Sequence, residues 1–265
     1  GVQNMTLFCF DSYGLFITTA QATVSPEDPE YDEETGNYLI SGTFSAKVPQ
    51  NTRTIHFLAN QIMTGFKESD FYSQSESEVM ASLEGSSGMM VYWARFEAQN
   101  DLATELKEIE LLRNHARIRV KNPENAHMAI TGMAVYNTNA FGTVAPYHPT
   151  QRFVRPGKDN GYFVTLPHNT AMLSDVYDVT ENTSQYVFES ENAADKPVSV
   201  ILRGHPADTP GAQDSYYRVM LIDEQGEQLP ICRNISYEIE IRGELAYGQA
   251  TFDDALTAAA TNNVW

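Results

Sequence analysis

The sequence has little positive charge. Its 265 residues include 17 Lys and Arg against 35 Asp and Glu, a formal net charge of −18. Such a surface repels the phosphates of nucleic acids and of anionic lipid headgroups, so we expect no nucleic-acid partner. The longest apolar run, near residues 89–94, is far below the ~18 residues that a membrane-spanning helix needs.

Cysteine is scarce as well. Cys9 and Cys232 lie far apart in the sequence, and neither belongs to a C-x-x-C pair that could begin a zinc site. Both stand among apolar, strand-like residues, which favours two buried free thiols. A Cys9–Cys232 disulfide is the alternative, because sequence alone does not place their Cα atoms together.

Local signatures of catalysis are missing too. The sequence contains no H-E-x-x-H, G-x-S-x-G, P-loop or G-x-G-x-x-G pattern. No two histidines are four residues apart, and we interpret each of them as a surface or turn residue; they are His56, His115, His127, His148, His168 and His205. We therefore expect neither an enzyme nor a cofactor.

The acidic segment from Glu27 to Glu34 is the one candidate metal site. Calcium prefers several carboxylates together with backbone carbonyls, so binding there is chemically conceivable. The spacing does not match an EF-hand loop, and two prolines, Pro26 before the segment and Pro29 within it, break it up. We favour a solvated loop between two strands, with a calcium site as the alternative.

Tyrosines in polar or turn-rich segments could form a glycan-binding face, because sugars stack on aromatic rings. The candidates are Tyr13, Tyr31, Tyr147 and Tyr162. With 14 tyrosines in the chain, some exposure is expected without any function, and we favour that interpretation.

Most of the chain alternates apolar and polar residues with a period of two, which is typical of β-strands. In residues 116–120, Ala, Ile and Val face the core while Arg117 and Arg119 face outward; residues 235–241 alternate likewise and predict a half-solvated antiparallel strand. Residues 69–83 predict a helix or two short turns with Ser69 as N-cap, and Thr251 caps a short helix. Residues 137–160 predict a long irregular excursion.

Strings of residues along this chain resemble the fimbrillin superfamily, the subunits of type V pili in Bacteroidales. The resemblance is most specific in the carboxyl-terminal third, at residues 186–189, 199–204, 216–219, 229–234, 237–241 and 262–264. Residues 112–118 and 134–137 are similar to the middle of family members. Residues 7–11 and 14–16 are similar to the opening strand and turn.

The resemblance implies an all-β fold with minor helices, built as two tandem transthyretin-like β-sandwich domains, which we place at residues 1–112 and 113–265. It implies no enzymatic activity. It also implies a cell-surface fimbria of the outer membrane, with a lipid anchor only in the precursor. Both ends of this chain are expected to be trimmed relative to such precursors, because residues 1–265 include neither a lipobox nor a further strand after Trp265.

Family members assemble head to tail by strand donation, in which a strand from one subunit fills a groove in the next. By resemblance, we assign the groove or donated strand to Leu7, Cys9, Val264 and Trp265. The partners would be other fimbrial subunits. The alternative is a fimbrial tip adhesin that binds a glycan or protein ligand of a host or bacterial surface.

Overall fold

The chain folds almost entirely into β-strands. A computed structural model describes residues 1–86, 88–121, 127–150, 152–157, 161–168 and 178–262. Within these residues the strands are β1 (Met5–Phe10), β2 (Phe16–Pro26), β3 (Glu30–Asp32), β4 (Asn37–Leu39), β5 (Gly42–Ser45), β6 (Thr54–Ala59), β7 (Glu84–Ser86), β8 (Tyr92–Glu97), β9 (Leu112–Arg113), β10 (His115–Lys121), β11 (Met128–Tyr136), β12 (Phe141–Thr143), β13 (Tyr147–His148), β14 (Arg152–Phe153), β15 (Ser184–Phe188), β16 (Ser199–Pro206), β17 (Ser215–Met220) and β18 (Ser236–Glu240).

Three short α-helices interrupt the strands of the described residues: α1 (Glu76–Ala81), α2 (Leu102–Glu105) and α3 (Phe252–Thr257). They are four to six residues long, too short to traverse a bilayer. The all-β fold with minor helices that the sequence predicted is therefore confirmed.

The chain divides into two compact units. Unit 1 contains residues 1–114 and 143–155, and unit 2 contains residues 115–142 and 156–265. Residues 143–155 return to unit 1 because Val144, Ala145 and Phe153 pack into its core. The sequence placed this segment in the second domain, within an irregular excursion. The tandem division at residues 112 and 113 stays a proposal, and a single cut there would separate this segment from the core that it fills.

Unit 1 is built on one six-stranded sheet in the order β5-β2-β1-β6-β8-β9. Strand β1 lies inside it, paired antiparallel with β2 on one side and β6 on the other. Every residue of β1 and β6 is buried, so both faces of the sheet are covered. Alternate residues therefore enter different cores: Phe8 and Phe10 face one, and Leu7 and Cys9 face the other.

The predicted solvated loop after Pro26 is wrong in its local structure. Strands β3 and β4 pair as an antiparallel hairpin, with Tyr31 opposite Tyr38 and a ring distance of 5.1 Å. The segment remains exposed, as expected from its charge. Cross-strand pairing of the two tyrosines favours the hairpin although no core lies beneath it.

For residues 69–83 the sequence predicted a helix or two short turns, and the structure shows two short turns. A 3₁₀ turn spans Glu68–Asp70, and α1 follows it. The predicted N-cap was misplaced: Ser75, not Ser69, caps α1 in a capping box with Glu78. Glu78 stands three residues after Ser75, as a capping box requires, whereas Tyr72 stands three residues after Ser69, so the sequence already favoured Ser75.

Unit 2 contains two three-stranded sheets, β15-β10-β18 and β11-β16-β17. Their inward side chains form one core, which contains Ala116 and Ile118 from β10 and Val200 and Leu202 from β16. The predicted outward positions of Arg117 and Arg119 are confirmed, since both are half-exposed. This is the layered arrangement of a β-sandwich.

The pairing of β18 corrects one prediction. Its alternation is as predicted, with Tyr237 and Ile239 half-buried between exposed neighbours, but it pairs parallel with β10. Alternation reports which face is buried and carries no information on strand direction. More than 100 residues separate the two strands, which leaves ample chain for a parallel crossover.

The carboxyl-terminal helix follows the predicted pattern. Thr251 caps α3 by accepting a hydrogen bond from the backbone N–H of Asp254. After α3 the chain runs beside β17, where Ala260 forms a parallel bridge with Arg218 and the Asn262 side chain bonds to the Met220 backbone.

Candidate functional sites in unit 1 and unit 2

The predicted assembly residues Leu7 and Cys9 lie on the central strand β1 and face one core of unit 1. Their exposed fractions are 2% and 0%, and both neighbouring strands occupy the edges of β1. Burial raises the pKa of the Cys9 thiol, and likewise that of Cys232, to about 11. Both thiols are free and buried, as the favoured interpretation of the sequence predicted.

The layer over Leu7 and Cys9 contains much half-exposed apolar surface. Its contributors from outside the central strands are Phe44, Val48, Leu102, Leu106, Ile109 and Leu111. Residues 106–111 among them form no strand. Within the described residues, this face of the sheet is therefore covered by side chains from one short strand, a short helix and irregular segments, and not by a second complete sheet.

The six-stranded sheet also has open edges. Strand β5 ends the sheet and pairs only with β2, and β8 pairs with β9 over Tyr92 and Trp93 alone. Within the described residues, Ala94–Glu97 on that side of β8 and the outer side of β5 have no strand partner. Unpaired backbone groups at such edges are where another strand can add.

The other predicted assembly residues, Val264 and Trp265, lie outside the described residues. Their assignment to a donated strand stays a prediction.

A polar depression of about 330 Å³ opens in unit 1 between the turn after β1, strand β8 and the β13–β14 hairpin. Its ionisable lining consists of three arginines and three carboxylates: Arg53, Arg95, Arg152, Asp11, Glu76 and Glu97. The depression is therefore formally neutral in a protein of net charge −18.

A hydrogen-bonded chain fixes the base of this depression. The Trp93 indole N–H donates to His56 Nδ1 at 3.0 Å, so Nε2 carries the proton and donates to Glu76 Oε1 at 2.7 Å. Arg95 donates to both Glu76 oxygens at 2.8 and 3.1 Å. Residues from β6, α1 and β8 are thereby held together by charge-assisted bonds.

The charges of this chain follow from burial and hydrogen bonding. Burial lowers the pKa of His56, against the opposing effect of Glu76, so the imidazole is neutral. Burial alone would raise the pKa of Glu76, but the hydrogen bonds from His56 and Arg95 outweigh it and hold this pKa at about 2. Glu76 is thus an anion that fixes the guanidinium of Arg95.

Two side chains at the rim of the polar depression, those of Tyr13 and Arg152, make no interaction with another side chain of the described residues. Tyr13 is 87% exposed, and its ring has no aromatic neighbour among the described residues. Its backbone is nevertheless fixed, because Asp11 Oδ1 accepts the N–H groups of Tyr13 and Leu15 at 2.9 and 3.0 Å. Arg152 has a backbone φ of 61°, and its guanidinium has no hydrogen-bond partner in the described part of the chain.

Unit 2 contains a buried ion pair between Glu189 and Arg233, with exposed side-chain fractions of 2% and 1%. Arg233 also donates to Thr165 Oγ1 at 3.0 Å, and the Thr165 N–H donates to Glu189 at 3.0 Å. Nearby, the rings of His115 and Phe188 stack with centroids 4.1 Å apart. Burial and the charge of Arg233 lower the pKa of His115 to about 4.

Two histidines therefore correct the sequence interpretation, which placed them at the surface or in turns. His56 is fully buried and His115 is 4% exposed. The signal was the position of each inside an apolar strand, where a polar residue needs a partner. The partner Glu76 lies on another element, so the sequence alone did not indicate it.

In the described ranges, no group of three or more His, Cys, Asp or Glu side chains is placed to hold a metal ion. The acidic segment is exposed throughout, and two of its carboxylates bond to nearby groups. Asp32 accepts from the Thr35 hydroxyl at 2.6 Å, and Glu27 accepts from the Ser41 hydroxyl at 2.7 Å.

Comparison with known proteins relates the whole chain to fimbrial subunits. No protein-family profile matches it. The major fimbrium tip subunit FimE of Porphyromonas gingivalis is 24% identical over 279 aligned positions, which include all of this chain and 47% of FimE. The chain thus spans about half the length of the curated relatives it matches.

Solved structures agree in fold. A fimbrial assembly protein from Parabacteroides distasonis matches with a TM-score of 0.51 at 14% identity, covering 91% of this chain and 84% of that protein. The carboxyl-terminally truncated tip fimbrial protein Mfa3 of P. gingivalis has the same TM-score at 12% identity, covering 94% and 92%. The chain is therefore similar along its whole length to a fimbrium tip subunit, and it shares its fold with solved fimbrial proteins of Parabacteroides distasonis and P. gingivalis.

Proposed function

We propose that this chain is part of a non-enzymatic subunit of an outer-membrane fimbria, assembled with other fimbrial subunits at the cell surface. The observation that carries the proposal is the alignment of the entire chain with a fimbrium tip subunit. Mfa3, which is also a tip protein, has the same fold over most of its length. These two relatives favour a position at or near the fimbrial tip, with a role in adhesion.

Strand acceptance by unit 1 is the assembly mode that its construction supports best. The face above Leu7 and Cys9 has a cover of half-exposed apolar residues, and β5 and part of β8 lack an outer partner among the described residues. An added strand would supply hydrogen bonds to an open edge and bury apolar side chains of the cover. Because Leu7 and Cys9 are already buried, the strand would first contact residues such as Phe44 and Ile109.

Site-specific photocrosslinking in assembled fimbriae tests this proposal. A benzophenone amino acid replaces Phe44 or Ile109 in the full-length protein, expressed in the bacterium that makes it. The control position is Tyr186, which is 52% exposed on β15 of unit 2. Crosslinked products are identified by mass spectrometry.

Crosslinks from position 44 or 109 to another fimbrial subunit, without the same product from position 186, would support strand acceptance by unit 1. Crosslinks to fimbrial subunits from position 186 alone would place the assembly contact elsewhere. A chain that is absent from purified fimbriae would contradict the subunit role itself.

A further inference from the structure

We propose that the polar depression in unit 1 binds a neutral saccharide, through Tyr13 as a stacking platform and Arg152 as a hydrogen-bond donor. The inference goes beyond the proposed function, because binding of a sugar does not require the chain to be assembled. The volume of the depression, about 330 Å³, lies at the lower end of the range of small-molecule sites, which suits one or two sugar rings.

The charge balance of the depression selects a neutral ligand. Its three arginines and three carboxylates sum to zero, whereas the chain as a whole carries −18. A strongly anionic ligand would meet Asp11, Glu76 and Glu97, and a cationic ligand would meet three guanidinium groups. A ligand with many hydroxyls can satisfy donors and acceptors alike without bringing an uncompensated charge out of water.

Tyr13 and Arg152 provide complementary halves of sugar recognition. An exposed aromatic ring stacks against the C–H face of a sugar, and the planar guanidinium donates paired N–H bonds to adjacent hydroxyl oxygens. The carboxylate of Glu97, whose side chain is 57% exposed, can accept from further hydroxyls. The Tyr13 ring and the Arg152 guanidinium are available for a ligand, since neither side chain has a partner among the described residues.

The platform is rigid where it meets the core. Gly14, with a φ of 74°, closes the tight turn that follows Tyr13, and Asp11 bonds to two N–H groups of that turn. On the opposite side, Phe153 packs edge-on against His56 with centroids 4.6 Å apart. At the base of the depression, Glu76 accepts hydrogen bonds from both His56 and Arg95, which fixes the Glu76–Arg95 pair. A ligand therefore has little left to order when it binds.

The backbone of Arg152 adds an independent indication. A non-glycine residue at a φ of 61° is in a sparsely populated conformation, and such residues concentrate at ligand sites when the surrounding structure holds them. Here the β13–β14 hairpin holds Arg152, with Tyr147 packed against Phe153 at 5.2 Å. The strain turns an arginine toward the depression, where a glycine would be the less costly residue.

The test uses the purified chain on an array of neutral, sialylated and sulfated glycans, followed by calorimetry with the neutral glycan that gives the strongest signal. Variants Tyr13→Ala and Arg152→Gly are each expected to weaken that binding at least about tenfold without lowering the melting temperature. Arg152→Gly relieves the backbone strain, so it folds even if another change does not. Tyr186→Ala changes another exposed tyrosine, on unit 2, and this variant is expected to bind as the unaltered chain does.

Selective loss of binding in the two unit 1 variants would support the site. Binding to sialylated or sulfated glycans alone, binding that neither variant alters, or no binding to any glycan would overturn the inference. None of these negative results bears on assembly into fimbriae, which the crosslinking experiment measures separately.

Discussion

The indole of Trp93 donates to Nδ1 of His56 across 3.0 Å inside unit 1, and this one bond sets the tautomer of a fully buried histidine. The remaining ring N–H must then donate elsewhere, and Glu76 accepts it at 2.7 Å. The carboxylate in turn holds Arg95 at the base of the polar depression. A buried hydrogen-bond chain thereby connects the core of the sheet to a surface site.

Removing Glu76 should destabilise unit 1. Glu76→Ala leaves the His56 N–H and the Arg95 guanidinium without their common acceptor, and we expect a loss of about 3 kcal/mol in the free energy of unfolding. Urea unfolding followed by the fluorescence of the buried Trp93 measures it. The control Glu97→Ala removes only a half-exposed partner of Arg95 and should cost at most about 1 kcal/mol. Equal losses in the two variants would contradict the account.

Stability should fall in acid through Glu76. Its folded pKa of about 2 lies below its ordinary value of 4.5, so the folded state releases the proton more readily than the unfolded state. The stabilisation is complete above pH 4.5 and is lost as the pH falls toward 2. Unfolding free energies measured across this window should decline less steeply for Glu76→Gln than for the unaltered chain. Parallel declines would show that Glu76 is not the responsible group.

His115 should give a separate pH dependence at milder acidity. Its pKa in the folded state is about 4, below the ordinary value of 6.5. Between these pH values the unfolded state therefore binds a proton that the folded state does not bind. Stability of unit 2 is therefore full above pH 6.5 and falls as the pH drops toward 4, by up to about 1.4 kcal/mol for each pH unit.

The variant His115→Gln should lack this component in a comparison of unfolding at pH 7 and pH 4.5. His168→Gln alters an exposed histidine and should keep the slope of the unaltered chain. If both variants keep that slope, the assignment of the titration to His115 is wrong.

The buried ion pair of unit 2 should show strong coupling. Glu189→Ala leaves the Arg233 guanidinium buried without its carboxylate, which should cost about 3–5 kcal/mol. Replacing both residues, as Glu189→Leu with Arg233→Met, removes the uncompensated charge and should recover much of that loss. A double variant that is as unstable as the sum of the single variants would refute the coupling.

The two thiols should be unreactive in the folded chain. Cys9 and Cys232 are buried, and their pKa values of about 11 leave little thiolate at neutral pH. Ellman's reagent should titrate no thiol in buffer and two thiols in each chain in denaturant. Zero thiols in denaturant without reductant would instead indicate the disulfide.

The sequence was informative wherever alternation decided the fold. In β10, the burial of Ala116 and Ile118 and the half-exposure of Arg117 followed directly from a period of two. The burial of both faces of β1 could not be predicted in the same way, because the side chains that cover them come from later in the chain, such as Val79 on one face and Ile109 on the other.

The candidate sites were less visible. The ion pair of Glu189 and Arg233 joins residues 44 positions apart, and no local pattern indicates that either is buried. Tyr13 was one of four candidate tyrosines for which the sequence favoured exposure without function, and the neighbouring Arg152 arrives only through the return of residues 143–155 to unit 1. Sites assembled from distant segments need the packing to be known first.

The measurement that tests the central claim most directly is immunogold electron microscopy of the bacterium that makes this protein, with antibodies against residues 1–265. If the chain is part of a fimbrial subunit, the gold label lies on surface fimbriae and is concentrated at their tips. The label disappears in a strain that lacks the gene. Gold confined to the cell interior or spread over the envelope away from fimbriae would contradict the account.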